Sequence, residues 1–272
     1  VRDYRSIPLG AAEDVDFSST LRDLSVKKAP VARSKSIVSF RRPKGKVGDQ
    51  GNLGSCVGWT MRVVMQDLHP SSLSALWVYY KAQKNDSTPG SDYSGTTVSG
   101  ACRAIHKEGI CQSKYEDGGK YFKAGAGIDA LKRRIEGHST VRASDFETIK
   151  ALVQEKVLAT SIHIHEEFYN IDSSGFLNED NYLKSPRKGG HAVAVVGWRC
   201  KDGKNYLRFE NSWSEEFGDK GDFYLSADLF KEISKGVYVV HKSEMTLYER
   251  ILNLLDRLRT KLIFYFKKYN AR

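Results

Sequence analysis

From Cys56 to Leu68 apolar residues recur at helical spacing, with Val57, Met61, Val64 and Leu68 on one face. His69-Pro70 ends the pattern, because a residue before proline is pushed out of the α region. A second helix is predicted over Ser72 to Gln83, with Leu73, Leu76, Trp77 and Tyr80 on one face. A third is predicted over Thr97 to Lys107, carrying Val98, Ala101, Cys102 and Ile105, with Gly109 as its stop. Ser144-Asp145-Phe146-Glu147 reads as a capping box that opens a short helix through Val153. Then the texture changes. Leu158 to Ile164 is strand-like, and His191 to Trp198 is a nearly continuous apolar strand. Asp202-Gly203 marks a hairpin turn, with Asn205 to Glu210 as the returning strand. Phe223 to Leu225 and Val237 to His241 read as further short strands. A helical first half thus precedes a strand-rich second half, and a cleft between two such halves is a natural place for a site.

Both ends differ from this middle. Residues 1–38 have weak periodicity, with small residues around Ala29 to Ser36. Residues 247–266 form an amphipathic helix, with Leu247, Ile251, Leu254, Leu255, Leu258, Leu262 and Phe266 on one face. Arg250, Arg257, Lys261 and Lys268 share another face. The apolar face either docks on the chain's own surface or, given the basic polar face, contacts a membrane surface or a partner protein.

The formal charge of +10 over 272 residues sharpens this division. Residues 1–46 are +6 and residues 243–272 are +4, which leaves the middle neutral. Nucleic-acid binding wants a basic face on the folded domain, so no nucleic-acid partner is expected. No apolar run is long enough to predict a membrane-spanning helix. The start at Val1 does not reveal the compartment.

Cys56, Cys102, Cys111 and Cys200 are the four cysteines. None forms a CxxC pair or a zinc-type cluster, and the scatter does not look like a disulfide scaffold. Three segments supply chemistry. Gln50-Gly51-Asn52-Leu53-Gly54-Ser55-Cys56 places a thiol at a helix start, where the helix dipole favours the thiolate. Gly189-Gly190-His191 opens the apolar strand with a candidate base, and Glu210-Asn211-Ser212-Trp213 offers an amide able to orient it. A thiol needs such partners to act as a nucleophile near neutral pH.

In this order (Gln, Cys, His, Asn, with Asn-Ser-Trp) the chain resembles the papain-like cysteine peptidases from about Ser39 to His241. Leu53-Gly54-Ser55-Cys56-Val57 lacks the usual upstream cysteine and following aromatic, and Asp222 stands where an aromatic usually follows the glycine. These departures look more like a divergent prokaryotic branch than like cathepsins. The resemblance implies an α+β, two-lobe fold, with a helical left lobe, an antiparallel β-barrel-like right lobe and the cleft between them. Its implied layout is an N-terminal segment over 1–38, a catalytic domain over 39–242 and a C-terminal helix over 243–272.

The activity implied is that of a thiol endopeptidase acting on protein or peptide substrates. Cys56 would be the nucleophile, His191 the base and then the acid, and Asn211 the group that orients the imidazole without adding charge. Gln50 and the Cys56 N–H would stabilise the oxyanion. Trp213 would shield the Asn211–His191 bond. Gly95, Thr96, Ala192 and Trp213 would meet the substrate, with Thr96 standing where a second glycine is common. No metal and no organic cofactor is implied. By position residues 1–38 resemble a short inhibitory pro-segment, and an ordinary N-terminal arm is the alternative. Secretion or delivery outside the producing cell is the expected localisation, with the cytoplasm as the alternative.

Two other enzyme and binding readings stay open: a cysteine-dependent transglutaminase or deamidase, and an inactive papain-like module that binds peptides. His163 and His165 alternate on one strand face without a third ligand in view, and read as an exposed face. Lys132-Arg133-Arg134 reads as a solvated helix face, and Cys102 and Cys200 as packing.

Overall fold

The helix opened by Cys56 forms over Cys56–Leu68 (α1), burying Val57, Met61, Val64 and Met65. These are coordinates of a computed structural model that describes residues 2–14, 39–41, 45–86 and 94–242, with Leu255 and Leu258 beyond them. The next helix, Ala75–Gln83 (α2), starts later than its periodicity suggests. The Ser74 side chain accepts the Trp77 N–H and fixes the cap there. Val98–Glu108 (α3) is capped by Thr97, which accepts the Gly100 N–H, and it stops at Gly109. The apolar faces of these three helices share one core with Ala192, Ala194 and Val196 of the sheet.

Seven strands form that sheet: Ser39–Arg41 (β1), Ile135–Arg142 (β2), Leu158–His165 (β3), Arg187–Lys201 (β4), Lys204–Glu210 (β5), Asp222–Ser226 (β6) and Gly236–Lys242 (β7). The order is β2-β7-β3-β4-β5-β6, with β1 added to β4 and every pair antiparallel. The nearly continuous apolar run of β4 has a simple cause: both of its faces are buried. Ala192, Ala194 and Val196 face the helices, while Val193 and Val195 join the second core. That second core is rich in aromatic rings, among them Phe168, Phe209, Phe223 and Phe230.

Four expectations need correction. The right lobe does not close into a barrel, since β2 and β6 end the strand order without pairing to each other. Aromatic packing between the two wings of the sheet fills the interior in place of a closing ladder. Secondly, β2 falls in the half expected to be helical. Its pattern is interrupted by an irregularity between Ile135 and Gly137, which hides the alternation. Thirdly, Lys132 to Arg134 lie beyond the short helix Ala126–Ala130 (α4), not on a helix face. Arg133 bonds Asp129 at 2.9 Å, with only 13% of its side chain exposed. Finally, Asp145, not Ser144, caps the helix Phe146–Glu155 (α5), by accepting the Thr148 N–H.

Two further short helices, Glu179–Tyr182 (α6) and Ala227–Ile233 (α7), complete the described set. The C-terminal helix expected over 243–272 lies outside the described residues, apart from Leu255 and Leu258, which are helical and exposed. Among the described residues no helix is long and apolar enough to cross a membrane.

Candidate active site

Cys56 is the first residue of α1, so the unsatisfied N–H groups of that helix end surround its sulfur. Ser55, just before it, makes no side-chain cap bond that would occupy them. His191 opens the buried part of β4 beside this helix start, and the Ala192 N–H donates to Cys56 Sγ at 3.4 Å.

Asn211 Oδ1 lies 2.7 Å from His191 Nε2 and accepts the Ser212 N–H at 2.8 Å. The backbone donor identifies that atom as the amide oxygen. The imidazole must therefore carry its proton on Nε2, which leaves Nδ1 free to act as a base. Nδ1 is buried and makes no hydrogen bond. The Trp213 ring lies beside the imidazole, with centroids 4.9 Å apart.

Gln50 is fixed from the opposite lobe. Its Oε1 accepts from Ser212 Oγ at 2.8 Å, and its N–H donates to the Ser212 carbonyl at 2.9 Å. Ser212 was not singled out by motif reading, although it stands inside Asn211-Ser212-Trp213. Its hydroxyl aims the Gln50 amide, so Nε2 points into the cleft.

That amide donates to the Pro8 carbonyl at 2.9 Å. Residues 2–14 thread the cleft. Tyr4 stacks on Trp213, Arg2 pairs with Asp49 at 2.6 Å, and Arg5 pairs with Glu166 at 2.8 Å. Next, Leu9 lies against Gly189, and Gly10 packs closely on Gly54. The Gly10 carbonyl accepts the Thr96 N–H at 2.9 Å, and the Ala12 N–H donates to the Thr96 carbonyl at 2.9 Å. Ala11 donates to the Gly190 carbonyl at 3.1 Å. Backbone pairing thus occurs at Thr96; the Gly95 carbonyl instead accepts from Gln83 Nε2. The fit is close enough to demand glycine twice. A Cβ on Gly10 would lie 1.8 Å from the Gly54 oxygen, and one on Gly190 would lie 2.1 Å from the Ala11 oxygen. At the far end the Asp14 carboxylate accepts from the Ser99 N–H and hydroxyl, each at 2.9 Å.

With this cover in place Cys56 and His191 are both fully buried. Burial pushes the Cys56 thiol up, outweighing the N–H groups of Ala192, Gly10, Val57 and Cys56 at its sulfur. Burial likewise pulls His191 down to about 4, against the Asn211 bond. The covered dyad is therefore a neutral thiol and a neutral imidazole. This differs from the lowered thiol expected at a helix start, because desolvation exceeds the helix-end effect.

The other candidates lie apart from this centre. His165 Nδ1 is 2.7 Å from the Ser185 carbonyl, and among the described residues no group of three or more His, Cys, Asp or Glu could hold a metal ion. Cys102 and Cys111 are buried, with Cys111 pushed up to about 12 by burial, while Cys200 is half-buried against the sheet core.

A thiol, an imidazole and an amide bonded to that imidazole lie between a helical lobe and an antiparallel sheet, and known proteins share the fold that holds them. A family profile described as papain family cysteine protease matches residues 38–240. The chain belongs to that family. It is 36% identical over 65 residues to cathepsin B-like cysteine proteinase 3 of Caenorhabditis elegans, covering 24% of this chain and 16% of that protein. Xylellain, a cysteine protease from Xylella fastidiosa, has a similar fold, with a TM-score of 0.66, 19% identity, and coverage of 90% of this chain and 94% of that one. The Amb a 11 cysteine protease of ragweed pollen, solved in its proform, follows with a TM-score of 0.60, 21% identity, and coverage of 80% and 68%. The chain spans between 16% and 54% of the length of the first curated relatives it matches.

Proposed function

We propose that this chain is a thiol endopeptidase that cleaves peptide bonds through an acyl-enzyme on Cys56. His191 Nδ1 takes the thiol proton, and the thiolate attacks the substrate carbonyl. Gln50 Nε2 and the Cys56 N–H hold the oxyanion. The imidazolium then protonates the leaving amine, and water attacks the acyl-thioester with the imidazole again as base. The observation that carries this reading is the peptide already in the cleft. The segment over residues 2–14 covers the thiol, with its Pro8 carbonyl bonded to Gln50 Nε2 at 2.9 Å.

The same segment supports autoinhibition by residues 2–14. Its Pro8 carbonyl occupies the Gln50 donor, and Cys56 and His191 are fully buried while the segment is in place. A substrate cannot reach the thiol until the segment leaves.

Labelling by an epoxysuccinyl inhibitor, together with analysis of products from unlabelled peptides, tests the reading. Cleaved peptide, lost in Cys56→Ala, is the expected result. Retained turnover in Cys56→Ala would refute it, and amide transfer without cleavage would replace it by the transferase reading.

A further inference from the structure

A cavity of about 310 Å³ opens beside Gly190, the residue before His191. Residues 11–14 of the segment line one side, and Ile162, His163, Arg187 and Lys235 line the other. Apart from Glu13 and Asp14 of the segment, its charged lining residues, Arg187 and Lys235, are cations. Lys235 Nζ stands 3.3 Å from Glu13 Oε1 and donates to the Asp14 carbonyl at 3.1 Å. The Asp14 carboxylate is turned away, into Ser99 and Tyr238. Arg187 forms no ion pair among the described residues. Burial chiefly lowers the half-buried His163, with Arg187 and then Lys235 adding to it and Glu13 opposing. The carboxylate that answers Lys235 therefore comes from the segment, and it leaves when the segment leaves. What remains is a hollow walled by Ile162, His163, Ile233 and the two cations Arg187 and Lys235, next to Gly190 and so beside His191.

We propose that this pocket selects an acidic side chain, aspartate or glutamate, in the peptides the enzyme cleaves. Glu13 is the internal stand-in for that side chain. The proposal rests on the peptidase reading above and adds the class of substrate. A carboxylate entering the pocket gains both Lys235 and Arg187, while a lysine or arginine meets two like charges. Exposed ion pairs each shift an equilibrium by up to about fivefold, so two acting together, with repulsion of the wrong charge, favour acidic over basic substrates by about tenfold or more.

The test uses the full chain, held in reductant until its rate on an uncharged peptide is constant. A peptide library then carries Glu, Lys or Ala at each of four positions on either side of the cleaved bond. Enrichment of Glu over Lys at one position by about tenfold in kcat/KM is expected. The double variant Lys235→Glu with Arg187→Glu should invert that ratio, and Lys235→Gln with Arg187→Gln, should the first fail to fold, should abolish it. Cleavage with no acidic preference at any position would overturn the proposal alone, and would mean the cations only lock the segment. No cleavage of any peptide, by the full chain or by a Gly10→Val chain whose segment is expelled by the clash with Gly54, would overturn the peptidase reading and this proposal with it.

Discussion

Ser212 joins the two halves of the site, since its hydroxyl holds Gln50 while its N–H holds the Asn211 oxygen. Gln50→Ala should lower kcat by about 10²–10³, with KM little changed, as expected for one lost oxyanion donor. Ser212→Ala keeps that donor, still held by the Leu53 carbonyl at 2.9 Å, but removes the anchor on its oxygen, and losing one neutral hydrogen bond should cost about fivefold in kcat. Steady-state kinetics on one peptide checks both, and a Ser212→Ala loss as large as that of Gln50→Ala would show a further role. Asn211→Ala should be milder than His191→Ala, because it misorients the base without deleting it. That His191 would meet Asn211, and that the Cys56 and Gln50 segments would lie beside them, was legible from the order of the motifs. Ser212 was not, because its partner lies 162 positions away in sequence. Nor was the neutral state of the dyad, which depends on what covers the sulfur.

Among the elements, the segment over 2–14 and the start of β4 are the most tightly matched. Gly10→Val places side-chain atoms where the Gly54 oxygen lies, so it should expel the segment without touching the catalytic groups. The variant should raise kcat/KM on a short peptide by about tenfold or more, since a tethered strand acts at a millimolar effective concentration. Deleting residues 1–38 should match it, and equal activity in a folded truncation would leave only a structural arm. Helices α1, α2, α3 and α5 were legible from their periodicity; the buried face of α2 was not, since Val78, Tyr79 and Ala82 are buried while Leu76 and Tyr80 are half-buried, and α4, α6 and α7 are too short to show a period. The apolar run of β4 was legible as a strand, and its two-sided burial explains why it does not alternate. Barrel closure was not legible, because it is decided by the far ends β2 and β6, which share no local pattern.

Across the whole molecule the cover couples cleft opening to protons. His191 is held neutral at about 4 against an ordinary 6.5, so the opened form binds more protons between those values. This contribution to closure is complete above about 6.5 and is lost as pH falls toward 4. Asp49 is held low chiefly by Arg2, and Glu166 by Lys188 and then Arg5. Their contributions are present above the ordinary carboxylate range and also fade as pH falls. All three therefore favour opening in acid. Amide hydrogen exchange at Gly10, Ala11 and Ala12, corrected for its intrinsic pH dependence, should show protection at pH 7 that weakens by pH 4. Unchanged protection would mean that the dyad's burial does not depend on the segment.

The Pro8 carbonyl on Gln50 has a practical corollary for anyone titrating small molecules against this chain. A compound aimed at the thiol does not meet an empty groove; it competes with a built-in ligand that dilution cannot remove. Its measured potency is its intrinsic potency scaled by the fraction of molecules whose groove is open. Ranking compounds on the full chain would thus preserve their order yet understate all of them by one shared factor, and that factor would itself report how firmly the chain closes on itself.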